Sequence, residues 1–403
     1  MMEFLSVLWF FLIFVLIAGY FVLDGFDLGI GVLSPFIAKN DEERAVLRRA
    51  IGPVWDGNEV WLLTAGGALF AAFPDAYATT FSGFYLAVML VLFGLIVRAV
   101  SFEFRAGDPS WGKLWDACFF VGSLLPALLL GVAVGNIFAG IPMDAAGDYA
   151  GVPLIGLITP FTLLTGLLGL AMFLAAGSCW AALKAPLPSC LQARAARLRL
   201  PLQVIALALF AVVSVYALVL VGPEMDPNLG ILRWLFAALV VVGLLASLVV
   251  GKTSGDDLKA FLAQSASMIA LVALLACSMF PVLVNATADS VGPAITLANA
   301  ASSELSLTWM TIILCIGLPL VLVYHVVIYR TFPRRSGGVL VSPRHLLGRY
   351  GLLACMGRSL RHHVSGGVAA MPGPCGSHIG GRRCLVGRGA AMMLGSRRML
   401  RLC

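Results

Sequence analysis

Long apolar runs alternate with short polar ones along most of the chain. Runs at residues 4–28, 55–73, 78–99, 115–137, 154–181, 201–222, 231–251, 260–283 and 307–329 are close to the length that a helix needs to cross a bilayer, about 20 residues. They predict nine spanning helices and an all-α, polytopic membrane fold, because a backbone in lipid must satisfy its own hydrogen bonds. The start, Met-Met-Glu-Phe, lacks the positive n-region of a signal peptide, so the first run is expected to stay in the membrane. The pattern stops near residue 332. Residues 333–403 are rich in Gly, Arg, Cys and His, contain no Asp or Glu, and show no sustained helical period. That composition points to a disordered extension or to out-of-frame translation.

The polar connections sort by charge. Lys39, Arg44, Arg48 and Arg49 follow the first run, and Arg98, Arg105 and Lys113 the third. Lys184, Arg194, Arg197 and Arg199 follow the fifth, Lys252 and Lys259 the seventh, and Arg330 with the tail the ninth. The alternate connections hold Asp75, Asp144, Asp148, Glu224, Asp226, Asp289 and Glu304, with Arg233 as their one base. Basic residues stay on the cytoplasmic side, so the N-terminus is expected outside and the C-terminus in the cytoplasm.

Polar residues inside the runs are the informative exceptions. The stretch Gly52-Pro-Val-Trp-Asp-Gly-Asn-Glu-Val-Trp61 carries Asp56, Asn58 and Glu59 in the first turns of the second run, with the two acids three residues apart on one helix face. Asp24 and Asp27 repeat that spacing near the end of the first run, and Arg98 closes the third. The expected orientation gathers all five on the inner half of the membrane. Ionisable groups at such depth are costly and are functional candidates by default. Buried acids balanced against a guanidinium can take up and release protons. The same residues equally describe an interhelical ion-pair network that locks three helices together, and residue type alone leaves both readings open.

Composition changes this picture little. The chain is 60% hydrophobic and 12% charged, against about 25% charged in soluble domains. The net charge of +7 comes from the acid-free tail, since residues 1–329 hold all 20 acidic residues and are net negative, and it does not argue for nucleic-acid binding. Cys118, Cys179, Cys190, Cys277 and Cys315 are scattered singly and read as small buried hydrophobes. His325 is the one histidine in the apolar region and is expected to cap or snorkel at the interface. Haem or metal ligation by this region is therefore not expected. The tail residues His345, His362, His363 and His378, with Cys355, Cys375, Cys384 and Cys403, match no zinc spacing. No nucleotide-binding loop or nucleophile elbow is present. Gly131 and Gly135 form a Gly-x-x-x-Gly that suits close helix packing, and Trp55, Trp61, Phe70 and Phe73 stand among small residues in the second run.

Certain runs of residues are distinctive. Leu23-Asp-Gly-Phe-Asp-Leu-Gly-Ile-Gly31, Trp55-Asp-Gly-Asn-Glu-Val-Trp61, Thr64-Ala-Gly-Gly-Ala-Leu-Phe-Ala-Ala-Phe-Pro74, Phe81-Ser-Gly-Phe-Tyr85, Arg98 with Phe102-Glu-Phe-Arg105, Leu114-Trp-Asp116, Gly131–Asn136 and Met279-Phe-Pro281 resemble subunit II of the cytochrome bd-type quinol oxidases. The likeness covers residues 1–332 and leaves 333–403 as a separate basic tail. It implies two four-helix bundles plus one helix, and a haem-free chain in a bacterial cytoplasmic membrane. Its partner would be a haem-bearing subunit I with haem b and haem d, and the complex would reduce dioxygen to water with quinol as substrate. A small accessory subunit and a structural quinone are known in such complexes, and no motif here locates either. The likeness also implies a cytoplasmic proton path through Asp24, Asp56 and Arg98, extended less directly to Asp27 and Glu59, and an oxygen tunnel near Trp61. Two other readings stay open: a proton-coupled secondary transporter, and a purely structural assembly subunit.

Overall fold

A computed structural model of the chain describes residues 2–222, 226–253 and 255–332. The proposed tail at 333–403 lies outside the described residues. The described part falls within the compact unit Met1–Ser336. It consists of α1 (Met2–Leu23), α2 (Gly25–Ile37), α3 (Asp41–Ile51), α4 (Trp55–Ala72), α5 (Pro74–Gly83), α6 (Tyr85–Gly107), α7 (Gly112–Ala139), α8 (Pro160–Lys184), α9 (Cys190–Tyr216), α10 (Gly230–Thr253), α11 (Asp257–Met279), the short α12 (Leu297–Ala300) and α13 (Glu304–Thr331). Strands β1 (Val282–Val284) and β2 (Ile295–Thr296) pair antiparallel in the connection before α12.

Eight helical stretches are long and apolar enough to cross a membrane. The second expected span, α4, is an 18-residue helix that stands outside this set. Asp56, Asn58 and Glu59 dilute its hydropathy. Several limits differ from the sequence expectation. The first span does not end near 28: α1 and α2 form one apolar rod, Met2–Ile37, with a turn at Asp24 across which Asp24 N–H still donates to Tyr20 O at 2.8 Å. The third begins at Tyr85, because Pro74 starts a separate helix that ends at Gly83. The fifth begins at Pro160, where Thr159 and Thr162 form a capping box. The sixth begins at Cys190, since Ser189 accepts from Gln192 N–H and starts the helix well before its apolar part.

In lipid, helices gain nothing from hydrophobic exclusion of one another, so small residues and polar contacts decide which faces meet. Gly29 on α2 and Gly177 on α8 show this. A Cβ at Gly177 would lie 2.6 Å from the Gly29 carbonyl carbon, and one at Gly29 would overlap the Phe173 carbonyl. The close approach lets Phe26 stack on Trp180, ring centroids 4.4 Å apart, with Phe261 of α11 edge-on at 5.5 Å. Gly131 makes the close contact expected of it, its added Cβ falling 2.8 Å from Gly166 Cα on α8. Farther along, Arg199 on α9 and Asp257 on α11 form a buried ion pair at 2.6 Å, and Gln203 donates to Ser247 of α10.

Gly29→Val and Gly177→Val are each expected to force α2 from α8 and to destabilise the protein by about 1–3 kcal/mol, the usual cost of overpacking. A lower Tm of the detergent-purified protein checks this, with Gly67→Val, which meets open space, as the neutral control.

Candidate functional site

The turn between α1 and α2 sets the site. Asp24 sits in that turn and Asp27 one turn later, so both carboxylates leave the rod on the side facing α4 and α6. Both are fully buried. Arg98, in the middle of α6 and 1% exposed, reaches across and donates from Nη2 to Asp24 Oδ1 at 2.7 Å. The same nitrogen lies 3.0 Å from Glu59 Oε1 on α4, an ion pair without hydrogen-bond alignment. Three helices thus meet at one guanidinium.

Asn58, fully buried beside Glu59, completes the core of the site. Its Nδ2 donates to Asp27 Oδ2 at 2.7 Å and to the Leu23 carbonyl at 2.9 Å, while its Oδ1 accepts from Tyr329 of α13 at 3.3 Å. Several buried polar atoms make no well-formed hydrogen bond among the described residues: Asp24 Oδ2, Asp27 Oδ1, Arg98 Nη1 and the Tyr20 hydroxyl, which lies beside the Asp24 carboxylate. Groups so placed require a hydrogen-bonding partner such as water.

The expected residues are therefore not brought together equally. Asp24, Glu59 and Arg98 are in direct contact, and Asp27 joins through Asn58. Asp56 is exposed at the first turn of α4, with no hydrogen bond or ion pair among the described residues. Exposure falls stepwise from Asp56 to the Glu59 side chain at 22% and then to Asp24 at 0%. Trp61, one turn beyond Asn58, is buried against Gly19 of α1, and its indole N–H donates to His325 Nε2 at 3.2 Å. His325 does not snorkel, contrary to expectation. Its Nδ1 lies 2.9 Å from the Val321 carbonyl, which fixes the Nδ1–H tautomer and leaves Nε2 to accept from Trp61. The His325 ring thereby links Trp61 of α4 to α13.

Tyr20 and Tyr329 were not anticipated. The i−4 spacing of Tyr20 from Asp24 on one helix face is a readable signal, whereas Tyr329 is far from Asn58 in sequence and carries none.

Beside the site, at the end of the bundle that bears the basic connections, Asp116 of α7 takes Arg48 at 3.0 Å and Arg105 at 3.1 Å, and Arg105 also reaches Asp41 at 2.9 Å. Partial burial lowers the Arg48 guanidinium from its ordinary value, against the opposing pull of Asp116. Asp256 caps α11, and the Lys259 and Leu258 N–H groups hold its carboxyl below the usual aspartate range.

A polytopic helical membrane protein with a carboxylate–guanidinium cluster shared by the α1–α2 turn, α4 and α6 is the class this geometry defines. Its fold matches a solved bd oxidase chain from Geobacillus thermodenitrificans with a TM-score of 0.67 at 15% identity, covering 81% of this chain and 98% of that one. Residues 5–332 match the family described as cytochrome bd terminal oxidase subunit II, and the chain belongs to that family. Relatives include the cytochrome bd-I ubiquinol oxidase subunit 2 of Escherichia coli, 34% identical over 80% of this chain and 92% of that protein. The cytochrome bd ubiquinol oxidase subunit 2 of Bacillus subtilis is 36% identical over 81% and 96%. A probable cytochrome oxidase subunit 2 of Haemophilus influenzae is 33% identical over 86% and 99%. The apolar helices and bacterial relatives make it a multi-pass protein of a bacterial inner membrane.

Arg98→Leu is expected to destabilise the protein by about 3–5 kcal/mol, because it strands buried carboxylates without their partner. Arg98→Leu combined with Asp24→Leu is expected to recover a large part of that loss. Thermal unfolding of the two purified variants measures the difference.

Proposed function

We propose that this chain is the haem-free subunit II of a quinol:dioxygen oxidoreductase, supporting assembly of a haem-bearing subunit I and carrying part of its cytoplasmic proton path. Nine membrane helices, counting α4, arranged as two four-helix bundles plus α13, would place the N-terminus outside and the C-terminus in the cytoplasm. This reading rests on the family membership and on the alternation of basic and acidic connections. The complex would need protons at its oxygen-reducing centre, which the partner's haem b and haem d would provide; this chain's residues would move protons only.

One observation carries the path: the descent from exposed Asp56 through half-buried Glu59 to buried Asp24 and Asp27, with unpaired oxygens at both inner acids. In that orientation Asp56 lies at the cytoplasmic mouth. A proton taken up there passes to Glu59, whose carboxylate accepts it, and Glu59 returns to its charged form by handing one on. Asp24 receives it beside Arg98, whose fixed positive charge keeps excess protons from lodging permanently, and Asp27 joins the cluster through Asn58. Water bridging Asp24 Oδ2 and Asp27 Oδ1 would complete the chain. Trp61 would border the oxygen tunnel. A quinone, an accessory subunit and lipids are further partners of the assembled complex in this reading.

Asp24→Asn, Glu59→Gln and Asp56→Asn test the reading in the assembled oxidase. Quinol oxidase turnover is expected to fall, by about a hundredfold at Asp24, with the haem absorption spectrum unchanged. Normal turnover in all three variants would leave only the scaffold role.

A further inference from the structure

Asn58 and Tyr329 touch the acids without being acids, and their geometry is more constrained than packing requires. The Asn58 amide nitrogen faces two acceptors, Leu23 O and Asp27 Oδ2. Its oxygen faces a donor, the Tyr329 hydroxyl. Turning the amide over would set its oxygen against a carbonyl and a carboxylate and its nitrogen against a hydroxyl, so the network admits one orientation. Tyr329 is itself fixed. Its ring lies edge-on to Trp180 at 5.8 Å, and Trp180 is held by the Phe26 stack and by donating to Ala50 O at 3.0 Å. The rest of α13 is attached sparsely: Leu307 is its one fully buried residue, and Trp9 holds the outer end through Leu307 O and Thr311.

We propose that Tyr329 and Asn58 are positioning residues, through which the last membrane helix pins Asp27 Oδ2 and leaves Oδ1 as the oxygen free to take a new partner. The inference rests on the proton-path reading and adds a role for α13 within it. With Oδ2 committed to the amide, a proton arriving at Asp27 lands on Oδ1, the atom without a partner among the described residues. Loss of the phenol hydroxyl leaves Asn58 Oδ1 without its donor, and the hold of the amide on Asp27 Oδ2 loosens.

The test uses the assembled oxidase. Tyr329→Phe keeps the ring and removes only the hydroxyl, Asn58→Leu removes the amide, and Thr311→Val loosens α13 at its far end as a control for docking. Infrared difference spectra identify the Asp27 carboxyl band by its loss in Asp27→Asn. The expected result is a shifted band and about tenfold slower turnover in Tyr329→Phe and Asn58→Leu. The Tyr329→Phe effect is expected to vanish in the Asn58→Leu background, and Thr311→Val is expected to leave band and turnover unchanged. An unmoved band with normal turnover in Tyr329→Phe overturns the inference, provided Asp24→Asn still slows the enzyme. If Asp24→Asn has no effect, the proton path itself falls, and the infrared shift alone then decides whether Asp27 is positioned this way.

Discussion

One guanidinium shared among three helices organises this protein. A lone charge at the centre of a bilayer costs about 2.5–3.5 kcal/mol even on permissive scales, so Arg98 and its acids are tolerable only in one another's company. Asp24 on the α1–α2 turn and Glu59 on α4 must therefore be delivered to within 2.7 and 3.0 Å of Arg98 on α6. The arrangement is unbalanced, because three carboxylates, counting Asp27, draw on a single fixed cation. Apolar surroundings do not hold so many like charges together without further partners.

The rest of the fold serves that cluster by keeping helices close where side chains are small and by stapling them where they are not. Gly29 against Gly177 brings α2 onto α8, which places Trp180 under Phe26 and beside Tyr329. Lipid offers helices no reason to associate through apolar surface alone, and α13 illustrates the consequence. Its largely exposed apolar surface is held to the bundle by Trp9, by Trp61 through His325, and by Asn58 through Tyr329. Two of those three attachments belong to the stretch that also supplies Glu59.

Much of this was readable in the chain. Apolar run length pointed to the long helices, and the spacing of Asp24 from Asp27 pointed to the face that carries the cluster. Helix limits were less legible, since caps such as Thr159 and Ser189 sit outside the apolar runs and Pro74 restarts a helix within a stretch that reads as nearly continuous. Asp56 and Glu59 are three residues apart, yet only Glu59 reaches Arg98: Asp56 lies on the exposed side of a first turn whose Trp55 packs on Phe102 and whose Asn58 is buried. Which side of a turn its neighbours leave open depends on how the helices assemble, and periodicity does not encode it. The meeting of Tyr329 with Asn58 depends on how the last helix returns to the first bundle, which no local pattern reports.

The second buried ion pair clarifies the first. Asp257 is engaged at both oxygens, Oδ1 by Arg199 at 2.6 Å and Oδ2 by Gln192 at 3.4 Å. A carboxylate held on both sides is a fastening. Asp24 and Asp27 each have one oxygen engaged and one without a partner among the described residues. Water or another donor can pair with that oxygen while the existing hydrogen bond stays in place. Burial and charge are common to the two ion pairs; the unpartnered carboxylate oxygens distinguish the first from the second.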